Sequence, residues 1–384
     1  MKTETTLDNE YNAYGPHLYM AFELGEAEWK LGFTIGFAQK PRIRTIKARD
    51  LVALEKEIRM AKKRFGLPEE TPVLSCYEAG RDGFWIHRYL EKGGVRNLMV
   101  DSSSIEVNRK ARRKKTDKQD TDKLLRMLMR YDQGEEKAWS VVHVPSVEAE
   151  DHRHLHREMA TLKGERTRHI NRIKGFLAGQ GIGISIGTDF LEQLEEIRLW
   201  DGSRLLPGLR TRLAREYERM QFVEAQIKEL ETERLELIRY STRPDVELVR
   251  QLMYLKGLGM ASAWLYVMEF FGWRKFRNRR EVGALSGLTP TPYQSGESAR
   301  ERGISKAGNT YIRSMAIQIA WGWLRHQPKS KHTLWYQERF GQGSKRMRKI
   351  GIVALARRLL VDYWRYLETG LVPEGAELKT RLTI

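Results

Sequence analysis

Cysteine is almost missing from this sequence, since Cys76 is the single one among 384 residues. An intrachain disulfide framework and a cysteine-based zinc site are therefore excluded. Long apolar runs are also missing. The longest, residues 260–273, is shorter than the roughly 18 residues of a membrane span and is interrupted by Glu269. The N-terminal residues are polar, without an apolar signal segment, so we expect a cytoplasmic protein with no membrane partner.

Acidic residues are outnumbered, with 50 Asp and Glu against 68 Lys and Arg, a net charge of +18 and a pI near 9.8. Such an excess favours a polyanionic partner, most simply nucleic acid. Residues 246–384 hold 24 basic and 10 acidic side chains, whereas residues 146–245 hold 17 and 18. A shorter run, residues 109–115, has six basic residues in seven, which a solvated loop also explains. The last third of the chain is therefore expected to be the main contact with nucleic acid.

Hydrophobic patterning predicts three regions, residues 14–145, 146–245 and 246–370. In the first, strand-like and helix-like runs follow the order βββαβαβα, the element order of the ribonuclease-H-like nuclease fold. In the second, two long stretches (148–178 and 204–241) have apolar residues at three- and four-residue steps, typical of an antiparallel coiled-coil hairpin used for dimerisation. The third is mostly helical, with Gly and Pro between its segments. The expected fold class is α/β plus all-α.

Four carboxylates stand at the ends of predicted elements in the first region. Glu23 lies near the end of the first strand, Glu78 follows another strand, and Asp117 and Asp120 share one face at the start of a helix. Hard divalent cations prefer oxygen ligands, and two of them can stabilise the attacking and leaving oxygens of phosphoryl transfer. Taken singly, each residue is better explained as a solvent-exposed acid or, at Asp117, as a helix cap. The basic residues before Asp117 would bring phosphate to these carboxylates.

The glycine-rich segment LKGLGMASA, residues 255–263, matches the hairpin of a helix-hairpin-helix motif. Gly257 and Gly259 permit a tight turn there, and the N-terminus of the following helix can present backbone N–H groups to phosphate. Lys256 adds a positive charge at the same turn. An ordinary glycine-rich connector between helices is the alternative interpretation.

The segment TPTPYQSG, residues 289–296, places Ser295 between prolines and a glycine, where a stiff loop can expose it. Arg300, Arg302 and Lys306 follow closely and could neutralise a phosphate under attack. A serine that attacks a phosphodiester conserves the bond as a phosphoserine ester, so DNA can be rejoined without ATP. A Ser-Gly pair by itself has almost no specificity.

Two further patterns favour purely structural roles. The alternating His152, His154 and His156 have no HExxH motif or cysteine partner, so we expect solvent-exposed side chains and not a metal site. The aromatic residues around Trp264 and Phe270 are expected in a core, and not as platforms for base stacking.

Three stretches resemble one protein family. They are VLSCYEAG at residues 73–80, KTDKQD at residues 115–120, and an ordered series of segments within residues 255–309 that includes GLTP, SGE and ISKAGN. Together with the helical hairpin between them, they are similar to the insertion-sequence transposases of the family numbered one hundred and ten. That family has a RuvC-like domain with a DEDD carboxylate tetrad and a serine-containing domain, and its members are known as bridge-RNA-guided recombinases. The resemblance covers most of the chain.

The resemblance implies that Glu23, Glu78, Asp117 and Asp120 bind Mg²⁺ (or Mn²⁺) and that Ser295 is the nucleophile. Glu23 stands where the family has Asp, with Glu26 as an alternative. It also implies donor and target DNA duplexes, a non-coding bridge RNA, and a homodimer or homotetramer with a site shared between protomers, acting at the nucleoid in a prokaryotic cytosol. The expected nucleic-acid contacts are Arg109, Lys110, Arg112, Arg113, Lys114, Lys115, Lys256, Gly257, Gly259, Arg300, Arg302 and Lys306.

Two other functions are consistent with the same residues. A RuvC-like, metal-dependent, structure-selective endonuclease would use the four carboxylates without needing Ser295. A catalytically inactive nucleic-acid-binding relative would keep the basic charge, and Glu in place of Asp at position 23 is the feature that suggests it.

Overall fold

The computed structural model describes residues 17–80, 83–106, 117–295 and 298–382, and at positions 103, 117–119, 292–295 and 298–302 it describes the backbone only. The chain divides into two compact units, residues 1–144 and 145–384. The chain is mixed α/β, as the expected class implies, whereas the second unit contains a pair of strands beside its helices and is not purely all-α. No helix in the described part of the chain combines the length and the apolar character that crossing a membrane requires.

The first unit is built on a five-stranded sheet. Its elements are β1 (Leu18–Leu24), β2 (Glu28–Thr34), β3 (Arg42–Lys47), α1 (Leu51–Arg64), β4 (Val73–Glu78), α2 (Trp85–Lys92), β5 (Arg96–Val100), a 3₁₀ turn (Ser102–Ser104) and α3 (Asp117–Asp132). The strand order is β3-β2-β1-β4-β5. β1, β2 and β3 form an antiparallel meander, and β4 and β5 join β1 in parallel. The central strand β1 therefore has an antiparallel neighbour on one side and a parallel one on the other.

Helices cover both faces of this sheet because side chains alternate between the faces along each strand. Leu18, Met20 and Phe22 of β1 belong to the core under α1 and α2, with residues such as Leu54 and Ile86. Tyr19 and Ala21 belong to the opposite core, which includes Cys76 of β4 and the Leu124, Leu125 and Leu128 side chains of α3. The helix α3 thus lies against the face that holds the odd-numbered residues of β1.

The second unit is mostly helical. Its elements are α4 (Val147–Asp151), α5 (His154–Ala178), α6 (Phe190–Glu196), α7 (Pro207–Tyr240), α8 (Pro244–Met253), α9 (Met260–Tyr266) continuing as a π-helical turn (Val267–Phe271), α10 (Arg279–Leu285), β6 (Pro290–Ser295), β7 (Ser298–Ile304), α11 (Thr310–His326), α12 (Lys331–Tyr336) continuing as a second π-helical turn (Gln337–Gly341), and α13 (Lys345–Thr369). The helix predicted over residues 148–178 is interrupted, because α4 ends at Asp151 and α5 begins at His154.

The two longest helices of its N-terminal part, α5 and α7, pack antiparallel. Lys163 pairs with Glu231 at 3.1 Å, whereas His169, further along α5, meets Glu216, which lies earlier on α7. Next to Lys163, Leu162 packs with Val223 and Ile227. The helical hairpin expected from the apolar spacing is present in this antiparallel form.

The remaining helices enclose one large core. Trp264 is 1% exposed and Phe270 is 0% exposed, which confirms the prediction that these aromatic residues are structural. Trp323 of α11 and Tyr363 of α13 lie in the same core, with their ring centroids 5.8 Å apart. This core is the scaffold from which the β6–β7 hairpin extends.

Candidate functional site

The strand ends at the centre of the first unit carry two carboxylates side by side. β1 and β4 are parallel, and their register places Phe22 opposite Tyr77. Glu23 and Glu78 are the next residues of the two strands, where adjacent backbones lie about 4.8 Å apart. By the alternation of the pleat, both share the face of Ala21 and Cys76, which is covered by α3. Glu78 is exposed and Glu23 is half-buried.

The helix α3 runs antiparallel to β1 on this face. Tyr19, near the start of β1, donates a hydrogen bond to Asp132 at the end of α3 at 2.7 Å. The Cys76 thiol approaches the carbonyl oxygen of Leu124 at 3.9 Å. From there, Asp120 lies one turn toward the helix N-terminus, about 6 Å at 1.5 Å per residue. Along β4, Glu78 lies two residues beyond Cys76, about 7 Å in the same direction. The start of α3 therefore approaches the strand ends that carry the two glutamates.

Gly32 allows this close approach. It stands opposite Ala21 on β2, and a Cβ there would collide with the Thr121 methyl group of α3 and lie 2.9 Å from Leu125. A glycine in a strand interior commonly marks such a close approach of another element. The first turn of α3 can consequently sit directly on the sheet.

The four predicted metal ligands thus belong to neighbouring elements, but their assembly is only partly described. Asp120 is half-buried, with one carboxylate oxygen shielded from solvent, and only the backbone is described at Asp117. Among the described side chains, no three of the His, Cys, Asp or Glu type form a ready-made metal site. The donor chemistry fits a hard divalent cation, because every candidate ligand is a carboxylate. The predicted contacts Arg109, Lys110, Arg112, Arg113, Lys114 and Lys115 lie outside the described residues.

The segment with Ser295 differs from the stiff loop expected from its prolines. It is a strand, β6, paired antiparallel with β7 so that Ser295 stands opposite Ser298 at the tip of the hairpin. Arg300 on β7 stands opposite Tyr293, and Arg302 lies on the same strand. At these positions only the backbone is described. The sequence did contain a signal for a strand, because Thr291 and Tyr293 are strand-favouring residues at alternate positions.

Short hydrogen bonds close the base of this hairpin. The Ser305 N–H donates to the Thr289 carbonyl at 2.8 Å, and the Lys306 N–H donates to the Gly287 carbonyl at 3.2 Å. The Asn309 N–H donates to the Leu285 carbonyl at 2.9 Å. The GLTP and ISKAGN segments, which are distant in the sequence, therefore meet at the hairpin base. Lys306 is exposed there, with a left-handed backbone at φ 56°.

Two glycines permit this closure. Gly287 has φ +68°, and a Cβ on it would lie 2.5 Å from the Ala307 carbonyl oxygen. Gly308 has φ +117°, and a Cβ on it would collide with the Leu285 carbonyl. Left-handed backbone favours glycine, and neither position has room for a side chain. The geometry of the hairpin base therefore depends on both residues.

A buried carboxylate that was not among the predicted site residues lies beside the hairpin base. Glu269, in the first π-helical turn, is 0% exposed. Its oxygens accept hydrogen bonds from His156 at 2.8 Å, from Arg157 at 2.5 and 3.0 Å, and from the Asn309 amide at 2.8 Å. Burial alone raises the pKa of Glu269, but the hydrogen bonds from His156 and Arg157 outweigh burial and hold the pKa well below its usual range. Glu269 is therefore a buried anion joining three elements.

The expectation that all three histidines are solvent-exposed was wrong. His156 is 6% exposed, and the reason is its bond to Glu269. His152 is also partly covered and pairs with Asp245 at 2.7 Å, whereas His154 is exposed. A signal for the buried pair was present in the sequence: Glu269 interrupts the longest apolar run, and a buried charge requires partners.

The glycine-rich turn between α8 and α9 is tied to the C-terminal segment. Gly257 is in the left-handed region at φ +92°, and Gly259 precedes α9 as its N-cap. The Lys256 ammonium forms an ion pair with Glu377, and the Lys256 N–H donates to the Glu377 carbonyl at 3.2 Å. Lys256, a predicted contact to nucleic acid, is therefore already neutralised by a neighbouring carboxylate.

Comparison with known proteins identifies the part of the chain that carries the hairpin. A family model described as the transposase IS116/IS110/IS902 family matches residues 249–334. The matched segment extends from α8 into α12 and includes Glu269, the β6–β7 hairpin and Asn309.

Several transposases are similar over longer stretches. The Sinorhizobium fredii protein y4rJ, which is named as a transposase, is 38% identical over 378 residues, or 94% of this chain and 95% of the relative. The transposase for insertion sequence element IS1328 of Yersinia enterocolitica is 26% identical over 220 residues, 57% of this chain and 63% of the relative. The transposase for insertion sequence element IS1111A of Coxiella burnetii is 27% identical over 228 residues, 58% and 60% of the two chains.

Proposed function

Because this chain belongs to the IS116/IS110/IS902 family of insertion-sequence transposases, we propose that it cuts and rejoins DNA with Ser295 as the nucleophile. The observation that carries the proposal is the tip position of Ser295 on a hairpin whose base is closed by Gly287 and Gly308. A rigid base holds a nucleophile in a fixed direction, which lowers the entropic part of the barrier.

In the proposed reaction, the Ser295 hydroxyl oxygen attacks a DNA phosphorus atom. A P–O bond to serine forms while the bond to one DNA strand breaks, and the leaving strand takes a proton to end in a hydroxyl. A strand hydroxyl then attacks the phosphoserine and releases the serine, so no ATP is consumed. The cations Arg300, Arg302 and Lys306 would offset the negative charge that develops on the phosphate.

Glu23, Glu78, Asp117 and Asp120 are the proposed ligands of Mg²⁺ or Mn²⁺, which would supply Lewis-acid stabilisation of the phosphate oxygens. The parallel register of β1 and β4 and the direction of α3 support this assignment. The strand order β3-β2-β1-β4-β5 supports a ribonuclease-H-like, RuvC-like identity for the first unit. A protein that binds no divalent cation would refute the ligand assignment independently of Ser295.

The proposed partners are donor and target DNA duplexes and a bridge RNA. The basic residues beyond position 245 and the run at residues 109–115 would bind them. Affinity for DNA should consequently fall steeply with salt. A homodimer or homotetramer through the α5–α7 hairpin is proposed, because Phe222 on α7 is 66% exposed and large exposed apolar side chains are typical of interaction surfaces.

Replacing Ser295 by Ala tests the nucleophile, and Ser298→Ala is the matched control on the facing strand. Ser295→Ala should abolish recombination and any covalent protein–DNA adduct on labelled DNA while DNA binding stays unchanged. Ser298→Ala should retain both activities. Recombination by the Ser295→Ala variant would refute the serine mechanism.

A second candidate function, hydrolysis by a RuvC-like nuclease, is favoured by the adjacent Glu23 and Glu78 alone. It predicts metal-dependent cleavage that survives Ser295→Ala, with no phosphoserine adduct. A catalytically inactive relative would instead bind DNA without cleaving it. Calorimetry would then detect no Mn²⁺ binding to the wild-type protein, and Asp117→Ala would cause no change.

A further inference from the structure

An arginine-lined cavity lies in the second unit, next to the base of the β6–β7 hairpin. It has a volume of about 560 Å³ and is formed by α10, α12 and α13 together with Thr289. Five guanidinium groups line it: those of Arg279, Arg280, Arg357, Arg358 and Arg365. Pockets of this size hold small ligands, and guanidinium groups match phosphate geometry through paired N–H donors.

The positive charge of the cavity is not balanced by the carboxylate that lines it. Among the side chains that the structure describes, its only lining carboxylate is Asp362, which pairs with His332 at 2.5 Å and lies 3.8 Å from Arg365. Arg279, Arg280 and Arg357 form no ion pair with any carboxylate in the described ranges of the chain. Arg358 likewise forms no ion pair with a described carboxylate, so four of the five arginines are available to an external anion.

Arg357 and Arg358 are also packed against neighbouring groups. Arg358 lies over the Trp335 ring, 3.7 Å from its centroid. Its pKa is lowered by burial and by the neighbouring charges of Arg357 and Arg339. At Gly283 a Cβ would lie 3.3 Å from the Arg357 side chain, so the absence of one lets Arg357 pack closely against α10. An anion bound here would relieve the repulsion between cations that the fold has already oriented.

The cavity adjoins the start of the serine hairpin. Thr289 is one of its lining residues, and β6 begins at the next residue, Pro290, and ends at Ser295. We propose that this cavity binds backbone phosphates of duplex DNA beside the strand that Ser295 attacks. The choice of DNA as the ligand rests on the proposed function, because the hairpin next to the cavity is the one proposed to act on DNA.

The test measures equilibrium binding of full-length protein to a labelled duplex of arbitrary sequence, without divalent metal, between 50 and 200 mM salt (about the range over which phosphate contacts dominate). The cavity variant is Arg280→Gln with Arg357→Gln. The control is Arg59→Gln with Lys63→Gln, which removes the same charge from exposed positions on α1. Loss of two phosphate contacts should lower the slope of log affinity against log salt by about 1.8. Affinity should fall at least about tenfold, with little change in the control.

A second variant is expected to raise the affinity for DNA, which distinguishes an effect of the cavity charge from misfolding. Asp362→Asn removes the one carboxylate of the cavity, so DNA affinity should rise, which an unfolded protein cannot produce. Equal salt slopes for the cavity and control variants, or no gain with Asp362→Asn, would overturn the proposal. A loss confined to single-stranded RNA would overturn the assignment to DNA. Because no chemistry is measured, a failure of the serine mechanism in the Ser295→Ala experiment would leave this result unaffected.

Discussion

The Asn309 side chain donates a hydrogen bond to the Glu269 carboxylate at 2.8 Å and, through its own carbonyl oxygen, accepts one from the Ile312 N–H at 3.0 Å. One side chain therefore joins the buried anion of the π-helical turn to the first turn of α11. Asn309 also donates its backbone N–H to the Leu285 carbonyl, so one residue contacts both Glu269 and the hairpin base.

Replacing Glu269 by Gln should destabilise the protein by about 2–4 kcal/mol, because the change leaves Arg157 and His156 without their buried anion. The free energy of unfolding in urea measures this loss. Glu247→Gln is the control, because Glu247 forms an exposed ion pair with Arg250 and exposed pairs contribute about 0–1 kcal/mol. Equal stabilities of the two variants would show that the Glu269 network contributes little.

The same variant should change the response to acid. The folded-state pKa of Glu269 is lowered, so its contribution to stability is complete above the unfolded pKa of about 4.3 and is lost as pH falls further. The stability difference between the wild-type protein and Glu269→Gln should therefore be constant near neutral pH and shrink below about pH 4.3. A difference that does not change between pH 6 and pH 3 (roughly the window in which carboxylates titrate) would contradict this assignment.

Local pattern was sufficient to predict most of the secondary structure. The continuous apolar run of β1, which is buried on both faces, and the three- and four-residue spacing in α7 can each be recognised within a single element. The partners of Glu269 could not be predicted in this way, because His156 lies 113 residues away in the sequence. Glu269 itself was visible as a charge in an apolar run, but only the packing of α5 against the π-helical turn identifies its ligands.

The candidate site also combines features that local pattern predicts with features that depend on tertiary packing. The Glu23 and Glu78 pair depends only on the register of two neighbouring strands, so the sequence placed both at strand ends. The serine segment was expected to be a loop because of its prolines, whereas Pro290 and Pro292 are accommodated in a two-stranded hairpin. Prolines are tolerated on edge strands, and each strand of a two-stranded sheet is an edge. The arginine cavity depends on the packing of separate helices and had no local signal.

Closure of the hairpin base predicts a large effect of Gly287→Ala. The added methyl group would meet the Ala307 carbonyl oxygen at 2.5 Å, in addition to the left-handed backbone cost of about 1 kcal/mol. We expect a loss of stability of about 2–4 kcal/mol and a fall in recombination of at least about tenfold. Gly303→Ala is the matched control, because Gly303 also has a positive φ but no atom within 4 Å of the added Cβ. If both variants behave alike, backbone strain and not the close approach decides the effect.

The ion pair between Lys256 and Glu377 predicts that Glu377→Gln strengthens DNA binding. The Lys256 ammonium holds the pKa of Glu377 below its usual range, so the pair is fully charged at neutral pH. Freeing Lys256 would add one phosphate contact and steepen the salt slope by about 0.9. Glu374→Gln, which breaks the similarly exposed pair with Lys331, is the control. An equal effect of the two variants would reflect general charge and not the glycine-rich turn.

The neighbouring ends of β1 and β4 lead to the remaining prediction, which concerns the proposed metal ligand at position 23. Glu23 and Glu78 follow the Phe22 and Tyr77 pair, whereas Glu26 lies beyond Gly25 in an exposed turn. The geometry therefore favours Glu23 over Glu26 as the partner of Glu78. Replacing Glu23 by Asp would move the carboxylate oxygens toward the backbone by about one C–C bond, roughly 1.5 Å.

Glu23→Gln should reduce DNA cleavage by at least about 100-fold, because an amide cannot replace an anionic ligand of a divalent cation. Glu23→Asp should keep measurable activity, since it keeps the charge, and Glu26→Gln should behave as the wild-type protein. Mn²⁺ binding followed by calorimetry gives a readout independent of catalysis and should be weakened in Glu23→Gln alone. Loss of binding in Glu26→Gln, with binding retained in Glu23→Gln, would instead assign the ligand to Glu26. Retained binding and cleavage in both Gln variants would mean that neither residue is a metal ligand, and the first position of the tetrad would then lie elsewhere.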